Sequence, residues 1–434
     1  MDKMADVLGR AGAWCGQNKY LSAIKNAFQN FMPLTIAGAI GVLWCNVLVN
    51  ESTGLGIFFK PIMALDFLNP AFQAVNFCTI SCITVGITLG IAQEIGVWNM
   101  GAEKAGYIPG LVGLAAWLSV TNTSHMVEGA KEAFTGIAGN ELGATGLFTG
   151  MIIGVLSVEL FCFFEKQDAL KIKMPEQVPP GVARAFEVLV PATITLIITA
   201  CIGSACYNLT GLYLNDVIKN GIQGPLGAVG ATIPGVMIIY LVIMLFWLVG
   251  IHGNNMLSAV KEALFTPLAL ENVEAFNKGE TPKNIINMYA LQMWGEFGGS
   301  GVTIGLVIAI MIFGKREDNK AIATLSLVPG LFNINETVTF GIPMVLNPIL
   351  GIPFVFACLV TILVGYVLTV IGFCPVACLT VPWTTPPIVF GFLACGANVM
   401  GAVTQAILIV VSTVIYVPFL ISYEKYQNKQ AAEA

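Results

Sequence analysis

The chain has little charge and almost no histidine. Of its 434 residues, 20 are Lys or Arg, 25 are Asp or Glu, and two are His, at 125 and 252. A water-soluble domain carries roughly 25% charged residues, against 10% here, so a single aqueous core is excluded as the organising principle. The net charge of −5 argues against nucleic-acid binding, which needs a basic surface. No Gly-x-x-x-x-Gly-Lys-Ser/Thr run cradles a phosphate, so any phosphoryl group must come from elsewhere. Cys78 and Cys82 lie one helical turn apart, as do Cys374 and Cys378 if that stretch is helical. With so few histidines these spacings give a zinc site little support, and neither metal nor cofactor is expected. Cys45, Cys162, Cys201, Cys206, Cys358 and Cys395 sit, like Cys78 and Cys82, in apolar runs and read as small buried side chains.

Long apolar runs are abundant, since 56% of residues are apolar. A helix needs about 20 such residues to cross the hydrocarbon. Candidate spans fall at residues 31–49, 72–92, 107–120, 147–164, 188–209, 230–249, 288–313, 321–328 with 338–348, 352–373 and 388–421. The expected fold is an all-α integral membrane protein with about ten transmembrane helices plus re-entrant hairpins, divided into a scaffold and a transport region. Residues 1–29 carry Lys3, Arg10, Lys19 and Lys25 with no compact apolar core and no small-residue cleavage site. They read as an amphipathic lead-in on the cytoplasmic face. Basic residues recur at 166–184, at Lys315, Arg316 and Lys320, and at Lys425 and Lys429, which places those segments and both termini in the cytoplasm.

The expected organisation is an amphipathic segment at 1–30, a scaffold or dimerisation domain at 31–165, an amphipathic linker at 166–187, a substrate-binding transport domain at 188–421 and a cytoplasmic tail at 422–434. The linker is the longest polar interruption of the first half. Beyond it, polar residues and helix breakers enter the apolar runs repeatedly. Broken backbone at membrane depth survives only against protein or a water-filled cavity, so the second half is the expected transport half.

Four polar islands mark it. Gly250-Ile251-His252-Gly253-Asn254-Asn255 offers an imidazole that titrates near neutral pH and suits a hydroxyl or a proton; a helix-capping His is the structural alternative. Trp294-Gly295-Glu296-Phe297-Gly298-Gly299-Ser300-Gly301-Val302-Thr303 has too many glycines for unbroken helix. It reads as a re-entrant turn, with glycine-mediated helix contact as the competing explanation. Phe332-Asn333-Ile334-Asn335-Glu336-Thr337 places a carboxylate among amides in a stretch with no Lys or Arg between Lys320 and Lys425. A mid-bilayer carboxylate costs on the order of 2.5–3.5 kcal/mol, so it should face a cavity. Val381-Pro382-Trp383-Thr384-Thr385-Pro386-Pro387 adds an aromatic ring beside hydroxyls. Carboxylate, amide, imidazole and indole together suit a saccharide, whose C–H faces stack while its hydroxyls need directional partners.

These islands, with Met174–Arg184 and the run from Gly341-Ile342-Pro343 to Asn347-Pro348, resemble the enzyme IIC component of a sugar phosphotransferase system, in the lactose/cellobiose/diacetylchitobiose family of the glucose superfamily. They occur in family order along nearly the whole chain; Thr337 departs from the proline expected after the glutamate. The resemblance implies a homodimer in a bacterial cytoplasmic (inner) membrane, its first half forming the dimer contact. The second half would carry one β-linked disaccharide per protomer by an elevator-like movement. A separate soluble phosphorylated IIB protein, with IIA upstream, would deliver the phosphoryl group, because only residues 422–434 follow the last span. Carried over residue by residue, Glu336 and His252 would hold the hydroxyl to be phosphorylated, with Glu336 as candidate proton acceptor. Asn254, Asn333 and Asn335 would bind other hydroxyls, Trp383 with Thr384 would pack on a ring, and Gly299, Ser300 and Gly301 would form a wall.

Residue chemistry alone also permits a proton- or ion-coupled secondary sugar transporter, and a third reading is a structural or channel-like membrane protein. A need for phosphoenolpyruvate and soluble phosphocarriers separates the first class from the second, and saccharide binding separates both from the third. Cellobiose, diacetylchitobiose and lactose fit such a pocket alike.

Overall fold

The computed structural model describes residues 9–14, 17–51, 56, 59–125, 134–175, 177–342 and 344–433. Lys3, Glu176 and Pro343 lie outside the described residues. The chain is overwhelmingly helical. Ser124–His125 pairs antiparallel with Phe134–Thr135, a two-residue ribbon that holds the other histidine of the sequence, its ring 5.6 Å from that of Phe134.

Among the described residues, five helices are long and apolar enough to cross a membrane: Lys19–Leu48, Ala144–Glu165, Pro180–Thr210, Gly351–Val370 and Val399–Glu433. Two bent pairs, Lys60–Ser81 with Ile83–Met100 and Met288–Val302 with Ile304–Phe313, raise the number to seven if each is one span. Ile108–Val120 and Ile233–Leu248 are shorter apolar helices. The expected figure of about ten is therefore reached only by counting short and broken elements. The stretch 321–348 is one such case: the helix Glu317–Leu331 is followed by the short helix Glu336–Gly341, and the next helix starts at Gly351. The residues from Cys374 to Cys378 are not helical, so the one-turn spacing of those cysteines does not arise. The run 388–421 breaks after Val389–Ala394, and the helix Val399–Glu433 continues through most of the expected tail.

Two compact units are present, Gln17–Gly38 with Val75–Ala228, and Met1–Gly16 with Ala39–Ala74 and Val229–Ala434. The first is built on Ile83–Met100, Ile108–Val120 and Ala144–Glu165. Ile83, Ile87, Ile91 and Ile95 recur every fourth residue and form one fully buried stripe, as helical periodicity requires. Close approach depends on Gly150, where a Cβ would stand 2.2 Å from Thr88 Oγ1. Pro180–Thr210 belongs to the same unit and buries Val188, Pro191, Thr195 and Thr199 along one face.

The compact division thus falls at Ala228 to Val229 and leaves 188–209 with the first unit. The charges of the polar linker explain why no boundary falls there. Glu165 accepts from Lys104 at 2.9 Å and from Arg184 at 3.0 Å, while Arg184 also reaches Glu187 at 2.7 Å. Those contacts fold the linker back onto its own unit.

In the second unit, broken backbone is satisfied by buried polar side chains. Gln405, 1% exposed, accepts from Ile388 N at 2.8 Å and Gly391 N at 2.7 Å and donates to Met293 O at 3.2 Å. Asn287, fully buried, caps Met288–Gly295 by accepting from Tyr289 N and Ala290 N, and donates to Ala377 O at 3.1 Å. At the polar end of the unit, Glu424 accepts from Lys315 N at 2.9 Å and from Asn319 Nδ2 at 3.2 Å. Nearby, hydrogen bonds from Arg316 hold the Asp318 carboxyl below the usual carboxylate range. That contact contributes stability above the ordinary Asp pKa and loses it as pH falls through the lowered value.

Gln405→Leu keeps the volume but orphans two N–H groups and a carbonyl, each worth about 1–3 kcal/mol. Thermal unfolding in detergent should show a clear drop for this variant and none for Val410→Leu, a change at an exposed position of the same helix.

Candidate functional site

All ten residues expected at the site belong to the second unit. The segment 288–313 is not one straight helix. Met288–Gly295 ends at Glu296, a single turn follows at Ser300–Val302, and Ile304–Phe313 resumes with a bend of 59°. Gly299 and Gly301 make the break, with φ of 87° and 73°, a region that L side chains rarely enter. Space is as restrictive as φ. A Cβ on Gly299 would lie 2.5 Å from Asn335 Cβ, and one on Gly301 would lie 2.4 Å from the Phe354 ring.

Groups freed by the break are taken up from several elements. Gly298 N donates to Asn333 Oδ1 at 2.6 Å, Ser300 O accepts from Asn335 Nδ2 at 2.9 Å, and Gly301 O accepts from Tyr416 Oη at 2.8 Å. Thr303 Oγ1 donates back to Gly298 O at 2.8 Å. Asn333, itself at φ 64°, donates to Trp383 O and to Thr385 O at 3.1 Å. Through Asn333 three of the four sequence islands touch: the glycine turn, the Asn-Ile-Asn-Glu segment and the Trp-Thr-Thr loop. Its left-handed backbone is one that Asn tolerates better than most residues.

The fourth island joins through Asn254, whose Nδ2 donates to Ser300 Oγ at 2.9 Å. His252 caps the short helix Gly253–Met256, with Nδ1 accepting from Asn255 N at 3.3 Å and its ring 4.5 Å from that of Trp247. Because Nδ1 accepts, the proton of a neutral imidazole sits on Nε2. The capping role and a ligand-facing donor are therefore compatible.

Glu336 opens the helix Glu336–Gly341 and is exposed. Among the described residues no Lys or Arg forms an ion pair with it. Trp383 is 44% exposed and Thr384 half-buried. An unpaired carboxylate, a half-buried imidazole and an open indole are the groups left free here. Asn333 and Asn335, by contrast, have their amides engaged with backbone and build the wall itself.

Sequence reasoning missed Lys261 and Tyr240. Lys261, 6% exposed, pairs with Glu296 and donates to Asn254 Oδ1 at 3.2 Å, while Tyr240 Oη donates to Glu296 Oε1 at 2.7 Å. A signal existed: Lys261 lies only seven residues beyond Asn254, and Glu296 is an acid inside an apolar run.

The family described as "Phosphotransferase system, EIIC" matches residues 25–358, most of the chain. The chain belongs to this EIIC family. Its similarity to the oligo-beta-mannoside-specific EIIC component of Bacillus subtilis (strain 168) is 33% identity, covering 98% of this chain and 94% of that one. The cellobiose-specific EIIC component of Lactococcus lactis subsp. lactis (strain IL1403) is 29% identical, with 98% of each chain covered. Among solved structures, the crystal structure of the transporter ChbC, the IIC component from the N,N'-diacetylchitobiose-specific phosphotransferase system, superposes with a TM-score of 0.88 at 30% identity over 97% of each chain. The all-α membrane fold expected from hydropathy is thus the fold of a solved EIIC transporter.

In this EIIC chain the Asn333 clip should be the most sensitive point of the wall. Asn333→Ala removes the acceptor for Gly298 N and the donor to two carbonyls, at about 1–3 kcal/mol per orphaned group. Hydrogen exchange by mass spectrometry should then show faster exchange in peptides spanning 296–303 and 383–387, with 83–100 unchanged.

Proposed function

We propose that this chain is the membrane-spanning, sugar-translocating subunit of a phosphoenolpyruvate-dependent phosphotransferase system, and that it imports a β-linked disaccharide, cellobiose or N,N'-diacetylchitobiose. The observation that carries the reading is that the islands bearing Glu336, His252 and Trp383 meet at one broken membrane segment through Asn254, Asn333 and Asn335, in a chain alignable end to end with sugar-specific EIIC components. Such a group offers an acceptor, a donor and a stacking face to a neutral sugar. None of them supplies a phosphoryl group, in keeping with a phospho-IIB donor on another polypeptide.

Transfer would break the bond from phosphorus to the donor atom of phospho-IIB and form one to a sugar hydroxyl oxygen, the hydroxyl proton passing to Glu336. His252 Nε2–H would hold the same hydroxyl by donating to it. Asn254 and Ser300 would bind another sugar oxygen at the glycine turn, and Trp383 with Thr384 would cover a ring. Gly299 and Gly301 let the wall come close, and Asn333 and Asn335 keep it in place. Movement of the second unit as an elevator, a homodimer formed through the first, and cytoplasmic termini in a bacterial inner membrane complete the proposal.

Loss of a positioned proton acceptor costs roughly 10²–10⁴-fold. Membranes carrying Glu336→Gln, supplied with phosphoenolpyruvate and the soluble phosphocarriers, should therefore form phosphosugar at least 10²-fold more slowly than wild type at equal expression. Wild-type rates in that variant would refute the site. Unmodified sugar accumulating under a proton gradient would instead favour a secondary transporter.

A further inference from the structure

The largely buried pair Lys261 and Glu296, with side chains 7% and 19% exposed, has no part in the reaction just described. A buried ion pair is weak as a stability device, because apolar replacements of similar volume are often as stable or more so. What this one does is visible in the direction of its hydrogen bonds. Lys261 sits on the helix Ser258–Asn277 with its side chain 7% exposed. Its ammonium pairs with Glu296, lies 5.4 Å from the centre of the Tyr240 ring and donates to Asn254 Oδ1 at 3.2 Å. Glu296 is held in turn by the Tyr240 hydroxyl.

An ammonium can only donate, so it settles which end of the Asn254 amide faces it. The oxygen must face Lys261, and the NH2 group must face Ser300, where Nδ2 donates to Oγ at 2.9 Å. The Ser300 oxygen, already an acceptor, keeps its single hydrogen to give away. Among the described residues no protein group accepts that hydrogen. The Ser300 carbonyl is separately held by Asn335, which fixes the backbone from which the hydroxyl projects. A chain of bonds running one way, from Lys261 through Asn254 to Ser300, also polarises each member and strengthens the last donor.

We propose that Lys261, held by Glu296, is a positioning residue that fixes the polarity of the glycine-turn wall. Through Asn254 it presents the Ser300 hydroxyl and the second Asn254 amide hydrogen as donors, so that this wall recognises an acceptor oxygen on the sugar, a hydroxyl or an amide carbonyl. The inference rests on the sugar-binding reading above and adds to it the element that sets the polarity of one subsite. Lys261 touches no sugar in this account; its effect passes entirely through Asn254 and Ser300.

The test is a double-mutant cycle on binding. Cellobiose and N,N'-diacetylchitobiose are titrated calorimetrically into full-length protein in detergent, as wild type, Lys261→Met, Ser300→Ala and the two combined, with thermal unfolding run on each. Coupled neighbours commonly interact strongly enough to change affinity by about tenfold. Lys261→Met should weaken the better ligand by about that factor, the double variant should be no weaker than the worse single one, and Lys261→Arg should recover most of the affinity because it too can only donate. Should Lys261→Met alone unfold, Lys261→Met with Glu296→Gln removes both charges together and is compared with the same pair plus Ser300→Ala. Penalties that multiply, or a Lys261→Met variant that binds as wild type, would overturn the positioning role while leaving the sugar-binding reading intact. A folded wild type that binds neither sugar would overturn both.

Discussion

Backbone hydrogen bonding inside lipid is the constraint from which the rest of this structure follows. In hydrocarbon there is no water to satisfy an N–H or C=O released by a broken helix, and each orphan costs several kcal/mol. The second unit breaks its helices at 296–303, 332–335 and 371–388, and at the first and last of these side chains take over freed backbone groups. Asn333 holds Gly298 and the Trp383 loop, Asn335 holds Ser300, Tyr416 holds Gly301, and Gln405 holds Ile388 and Gly391. The amides that look on paper like an inviting set of sugar ligands are largely consumed in making a non-helical wall possible.

That division of labour sharpens the chemistry of the site. With Asn333 and Asn335 committed to the wall, the groups still open are Glu336, the Nε2 edge of His252, the indole of Trp383 and the hydrogens directed through Asn254 and Ser300. A carboxylate with no cationic partner among the described residues is expensive in an empty membrane cavity, and a ligand hydroxyl is a good way to satisfy it. The first unit has the opposite character. Its stripe of isoleucines and the close contact at Gly150 form a packed helical body, and its buried Glu165 is paired with Lys104 and Arg184.

Much of this could be read from the sequence, for physical reasons that differ by feature. Spans such as 31–49, 147–164 and 352–373 announce themselves by length and apolarity alone. The glycine turn was legible because Gly298, Gly299 and Gly301 are too dense for a helix, and the all-α membrane fold because charge is so scarce. The boundary between units was not legible. A polar interruption at 166–187 resembles a hinge, and only the contacts of Arg184 with Glu165 reveal that its charges are satisfied locally. The form of each span was less legible, because hydropathy cannot separate a straight membrane-crossing helix from a bent or short one such as Glu336–Gly341. Lys261 escaped notice because a single lysine in an amphipathic stretch reads as surface until its partners, 7 and 35 residues away in sequence, are seen in space.

The central claim is that one disaccharide binds where the broken segments of the second unit meet. A structure determined by electron cryo-microscopy with the preferred disaccharide bound tests it most directly. The account predicts sugar density with one hydroxyl between Glu336 and His252, a ring face against Trp383 and an oxygen within hydrogen-bond reach of Ser300. Well-defined sugar density bound elsewhere, with that region left empty, would contradict it.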